Sequence, residues 1–127
     1  MKIVFSTKNV SRPSFLDTCR FAYDYGFEGF EIYDALKERS SHHDSILRRD
    51  RVADAKRKLI NRGLDVSALH YPYALDSTAF REDDIVRYVD MAASAGISDV
   101  IVTLAGKLAF DEVREKLATA IEKAERS

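Results

Sequence analysis

Two ionisable side chains stand within apolar runs, where a charge is costly. Glu31 interrupts Phe30-Glu31-Ile32-Tyr33, and His70 closes Val66-Ser67-Ala68-Leu69-His70. A strand flanked by helices normally reads as near-continuous apolar sequence, so a carboxylate inside one needs a partner, a metal or a wet cavity. Strand alternation places Val66, Ala68 and His70 on one face, and Tyr33 on the face of Glu31. A histidine at the carboxyl end of such a strand can move a proton or ligate a metal. Each residue also has a purely structural reading. His70 would then be a buried, hydrogen-bonded histidine, and Glu31 an ion-pair partner for Lys2 on the neighbouring first strand.

Other groups are weaker candidates. His42-His43-Asp44 invites a metal reading, but adjacent histidines on an extended loop point apart and no second cluster at zinc-ligand spacing lies nearby, so a solvated loop is favoured. Arg48, Arg49 and Arg51 could meet a phosphate at a helix start, although a solvated helix face is the plainer reading. Tyr71 and Tyr73 could stack on a sugar ring or pack over a rim. Cys19, the single cysteine, lies on an amphipathic helical pattern and reads as a small buried hydrophobe. The chain has no G-x-G-x-x-G, no Walker-type G-x-x-x-x-G-K and no G-x-S-x-G elbow.

The elements that must position these residues follow a repeated grammar of helix, terminal glycine, short turn and strand. It recurs at Gly26, Gly63 and Gly96. The apolar run 2–6 predicts a first strand. Ser11 and Pro13 then open a helix carrying Phe15, Leu16, Cys19, Phe21 and Ala22. A second strand spans 30–33, and a polar connection covers 34–49. Val52, Ala55, Leu59 and Ile60 mark a helix, and 66–70 a third strand. Ile85, Val89, Ala92 and Ala93 define another helix, with Glu82, Asp83 and Asp84 massed at its positive end. A strand over 99–104 and one last helix from about 110 to 125 complete the array.

The sum is (βα)4 in a single domain over residues 1–127, with right-handed crossovers between parallel strands. Four units of a (βα)8 barrel and an open sheet of the flavodoxin kind both fit. The missing nucleotide motifs count against a nucleotide-binding open sheet. In the barrel alternative the chain is an α/β half of a TIM barrel, strands in order 1-2-3-4, helices outside.

Composition bounds the function. The chain has 127 residues, 46% hydrophobic and 32% charged, with 20 basic against 21 acidic side chains and a net charge of -1. That balance supplies no global attraction to nucleic acid or an anionic membrane. No apolar run reaches the roughly eighteen residues of a membrane span, so a cytoplasmic protein without nucleic-acid or membrane partners is the expectation.

Gly26-Phe27-Glu28-Gly29-Phe30-Glu31-Ile32 resembles the end of the second strand in xylose-isomerase-like TIM barrels, which include sugar and sugar-phosphate isomerases and epimerases and endonuclease-four-type enzymes. Val66-Ser67-Ala68-Leu69-His70 resembles that superfamily's third strand, and Val100-Ile101-Val102-Thr103-Leu104-Ala105-Gly106 its fourth. The likeness spans nearly the whole chain but only the first half of a barrel of about 250 residues. It implies a divalent-metal isomerase or epimerase (Mn, Mg, Zn or Co) acting on a sugar or polyol in its full-length form. His70 and Glu31 would be catalytic, with His70 also a metal ligand, and Tyr33, Tyr71 and Thr103 substrate-binding. The family's main metal ligands belong to the second half, so this chain alone is expected to hold no metal and to be inactive. Where endonuclease-type members carry histidine this chain has Leu104, which turns the analogy toward the isomerases and away from an apurinic endonuclease. A non-catalytic half-barrel module for assembly or sugar binding is the other reading. In either case four strands leave two edges, and self-association or pairing with a second half-barrel is expected.

Overall fold

The computed structural model describes residues 2–6, 8, 15–33, 56–57, 60–61 and 63–127. The described elements run β1 (Val4–Ser6), α1 (Phe15–Asp24), β2 (Gly29–Tyr33), β3 (Asp65–His70), α2 (Glu82–Ala95), β4 (Asp99–Ile101), α3 (Phe110–Lys116) and α4 (Ala118–Glu125). Val52, Ala55 and Leu59 of the helix expected between β2 and β3 lie outside the described residues. All strand pairs are parallel, in the order β1-β2-β3-β4. The fold is the expected α/β (βα)4, half-barrel-like array. Ser11, Pro13, the histidine pair 42–43 with Asp44, and Arg48, Arg49 and Arg51 lie outside the described residues.

The glycine grammar has a geometric cause. Gly26, Gly63 and Gly96 take positive φ of 77, 74 and 65°. At Gly96 the left-handed turn lets its own N–H reach Ala93 O at 3.2 Å and lets Ile97 N–H reach Ala92 O at 2.8 Å. Those bonds satisfy carbonyls that the end of α2 would leave bare. The Gly26 turn repeats the pattern, with Phe27 N–H bonded to Ala22 O at 2.9 Å. Each stop aims the chain into the next strand within a few residues.

One face of the sheet is dry. Phe30, Ile32, Val66, Leu69 and Tyr71 are buried there against Cys19 and Ala22 of α1, Ile85, Tyr88, Met91 and Ala92 of α2, and Ala120 of α4. Phe5 extends this core through ring contacts with Phe21, Phe27 and Phe30. Cys19 is 3% exposed, in line with the small-hydrophobe reading.

Three sequence expectations change. Val66 does not share a face with Ala68 and His70. The β2–β3 ladder shifts register after Phe30↔Val66 and resumes at Glu31↔Ala68, so Ser67 is an extra residue on β3. Val66 therefore joins the helix-covered core, whereas Ala68 and His70 pair with Glu31 and Tyr33 on the opposite face. The fourth strand ends at Ile101 rather than Leu104, because the chain beyond it is drawn into the loop after β3: Leu75 N–H bonds Thr103 O at 2.8 Å. The last helix is broken at Leu117, with φ -112° and ψ 10°, into α3 and α4. Glu82 Oε1 accepts Thr119 N–H at 2.8 Å and Ala120 N–H at 3.4 Å, which satisfies the start of α4 from a neighbouring helix.

Gly29 is the tightest point of the sheet. A β-carbon there would sit 2.3 Å from the carbonyl oxygen of Asp65, its partner in the ladder. That oxygen is backbone and cannot swing away. Gly29→Ala should therefore destabilise the fold by about 1–3 kcal/mol, the range for forced overpacking. Urea unfolding followed by circular dichroism measures it, and an unchanged midpoint would contradict the close approach.

Candidate functional site

The face of the sheet opposite the described helices, its open face, carries the polar side chains Glu31, Tyr33 and His70. Register places Tyr33 beside His70, and Ser6 beside Glu31. The register shift brings His70 Nδ1 to 3.1 Å from Glu31 Oε1, with the two side chains only 15% and 20% exposed. Glu31 thus pairs with His70 across the β2–β3 ladder. With Nδ1–H donating to the carboxylate, Nε2 is the ring nitrogen that can accept a proton or bind a ligand. The carboxylate orients the ring and fixes its tautomer.

Tyr33 completes the wall. Its ring meets the His70 imidazole edge to face, with centroids 5.2 Å apart and planes at 80°, and its hydroxyl donates to Pro72 O at 3.3 Å. Lys8, just past β1, holds its ammonium 5.3 Å from the Tyr33 ring centroid, a cation–π distance. The Lys8 N–H donates to Ser6 Oγ at 3.3 Å. Ser6, Lys8, Glu31, Tyr33 and His70 therefore converge at the carboxyl ends of adjacent parallel strands, where α/β folds build their sites.

Tyr71 is not brought to this group. It is 2% exposed on the helix-covered face, where its hydroxyl donates to Asp84 Oδ2 at 3.1 Å and accepts the Arg81 N–H at 3.2 Å. Burial pushes its phenol above the ordinary value. Tyr73 packs edge-on against Tyr71, 5.7 Å between centroids. Thr103 stands exposed beyond β4, and what it contributes to the fold is its carbonyl. A metal fits poorly, because no three His, Cys, Asp or Glu side chains come together among the described residues. Glu31 and His70 amount to two donors bonded to each other.

Sequence reasoning missed Lys8 and Asp76. A lone lysine after a short strand carries no signal until the fold sets it over Tyr33. Asp76 lies in the loop after β3 and accepts two backbone N–H groups from the loop after β4, Ala105 at 3.0 Å and Gly106 at 2.8 Å. The adjoining Ala105-Gly106 turn was visible in sequence, but its acceptor lies about thirty residues earlier.

No protein-family model matches the chain, and no curated protein matches it. No helix among the described residues is long and apolar enough to cross a membrane.

The Asp76 bonds give a pH dependence. The Ala105 N–H first, and the Gly106 N–H next, hold its carboxyl below the ordinary carboxylate range. A lowered native pKa means the clamp's contribution is present above the unfolded value, about 3.9, and is lost as pH falls through the lower native value. Hydrogen exchange at Ala105 and Gly106 should therefore lose protection under acid below about pH 4, relative to other loop amides. Asp76→Ala should remove that acid step and leave both amides unprotected at neutral pH.

Proposed function

We propose that this chain supplies the proton-transfer half of a sugar or polyol isomerase or epimerase of the xylose-isomerase-like barrel type. The carrying observation is the Glu31–His70 pair, 3.1 Å apart at the carboxyl ends of the strands, on the face that no described helix covers. A carboxylate-oriented imidazole suits proton removal from a carbon beside a carbonyl, the step shared by aldose–ketose isomerisation and epimerisation. In this reading His70 Nε2 takes the proton, Glu31 faces the imidazolium so formed, and the same nitrogen returns the proton to the neighbouring carbon on the same face, while epimerisation would need a second acid on the opposite face. Tyr33 offers an aromatic wall for the apolar face of a sugar, and Ser6 and Lys8 offer donors to its oxygens. The divalent metal implied by the resemblance needs ligands beyond these two side chains, which a second half of the barrel would bring. Turnover by this chain alone is accordingly expected to be slight.

Two measurements test the reading. Titration with a panel of aldoses, ketoses and polyols, followed by amide NMR, should shift Glu31, Tyr33 and His70 together. No shift in that group with any member would overturn sugar binding. Solvent deuterium incorporation beside the carbonyl should fall about 10²–10⁴-fold in His70→Asn, the usual span for loss of a general base. Glu31→Gln should lose less and retain a normal melting profile. Full exchange in His70→Asn would remove the imidazole from the chemistry.

A further inference from the structure

The sheet has two unlike edges among the described residues, and they complement each other. Beside β4, on the helix side, lies a groove of about 580 Å³ lined by Val100, Val102, Leu117, Ile121 and Ala124. The β1 edge presents an apolar knob instead, with Ile3 64% and Val4 39% exposed. Alternation puts Ile3 on the face of Phe5, the helix-covered side on which the groove opens. The charges are opposite as well. Lys2 precedes β1, and continued alternation puts it on the face of Val4, while Asp99 starts β4 on the same face, in register with Ala68. Both are exposed.

We propose that two copies of this chain close on each other, β4 of each lying parallel to β1 of its partner. Lys2 then faces Asp99 across both seams, and Ile3 enters the groove beside Val100 and Val102. Two four-stranded sheets joined this way give eight parallel strands, a number at which side chains fill a closed barrel. One twofold axis along the barrel relates the copies, so two unlike edges form a closed assembly rather than a filament. Both Glu31–His70 pairs then face one mouth. This inference rests on the half-barrel part of the reading above and not on its proton chemistry, so association and turnover can fail separately.

Sedimentation equilibrium of the full chain should show a dimer whose dissociation constant rises about tenfold in Lys2→Glu or in Asp99→Lys, since each change creates two like-charge contacts. The two variants mixed in equal amounts should recover wild-type affinity. In the mixed dimer the introduced glutamate of one copy meets the introduced lysine of the other at one seam, and the native pair forms at the second. Ile3→Glu should weaken association further, and its unfolding midpoint measured under dissociating dilution should match wild type. A wild-type monomer at the highest soluble concentration would overturn the proposal. So would a dimer indifferent to these changes, or single variants that weaken it without recovery on mixing.

Discussion

One extra residue in β3 decides what the open face can do. Had the ladder continued from Phe30↔Val66 without a shift, alternation would have put Ala68 and His70 on the side of Val66, under the helices. The shift at Ser67 reverses the sense of everything beyond it: Leu69 and Tyr71 turn into the core, and His70 turns out beside Glu31 and Tyr33. A bulge in a parallel pair is uncommon and forfeits local ladder bonding. Here it reconciles two demands on one short strand, an apolar anchor at each end of its buried side and an imidazole at its outer tip.

The carboxyl end of β3 is then held from several directions. Tyr71 N–H bonds Ile101 O at 3.0 Å, Leu75 N–H bonds Thr103 O, and Asp76 takes the two amides of the next loop. The Tyr71 hydroxyl ties the same segment to Asp84 and Arg81 at the start of α2. Lys116 of α3 reaches Leu75 O at 3.2 Å. The residue after His70 is therefore a buried, doubly bonded tyrosine, which limits how far the imidazole can drift from Glu31. For the proposed proton-transfer role, positioning of this kind matters because small displacements of the reacting group cost rate steeply.

The architecture was legible in sequence because its signals are local. Glycines at 26, 63 and 96 mark helix ends through a conformation that other residues resist, and apolar runs between them mark strands. The Glu31–His70 pair was legible in part: both residues stood out as polar groups at strand positions, but their contact depends on the register shift, and no residue type announces a bulge at Ser67. Tyr71 directly follows His70, so alternation turns it to the opposite, helix-covered face, where it is buried. The break at Leu117 was invisible because the acceptor that stabilises it, Glu82, belongs to another helix. Long-range partners of this sort decide what local periodicity leaves open.

The energetics of the open face separate stability from purpose. A partly exposed acid–imidazole pair adds on the order of 0–1 kcal/mol, whereas an apolar residue buried at the same position would add more. Glu31 and His70 are thus poor choices for holding β2 to β3, and the ladder and the Phe30–Leu69 core already do that. Their arrangement gains strength only when water is displaced from above them, because a polar contact is stronger at lower dielectric. A bound substrate or an opposing half of a barrel would supply that cover. A face that is half-buried, polar, mutually oriented and bordered by a tyrosine wall is better suited to receiving something than to sealing a core.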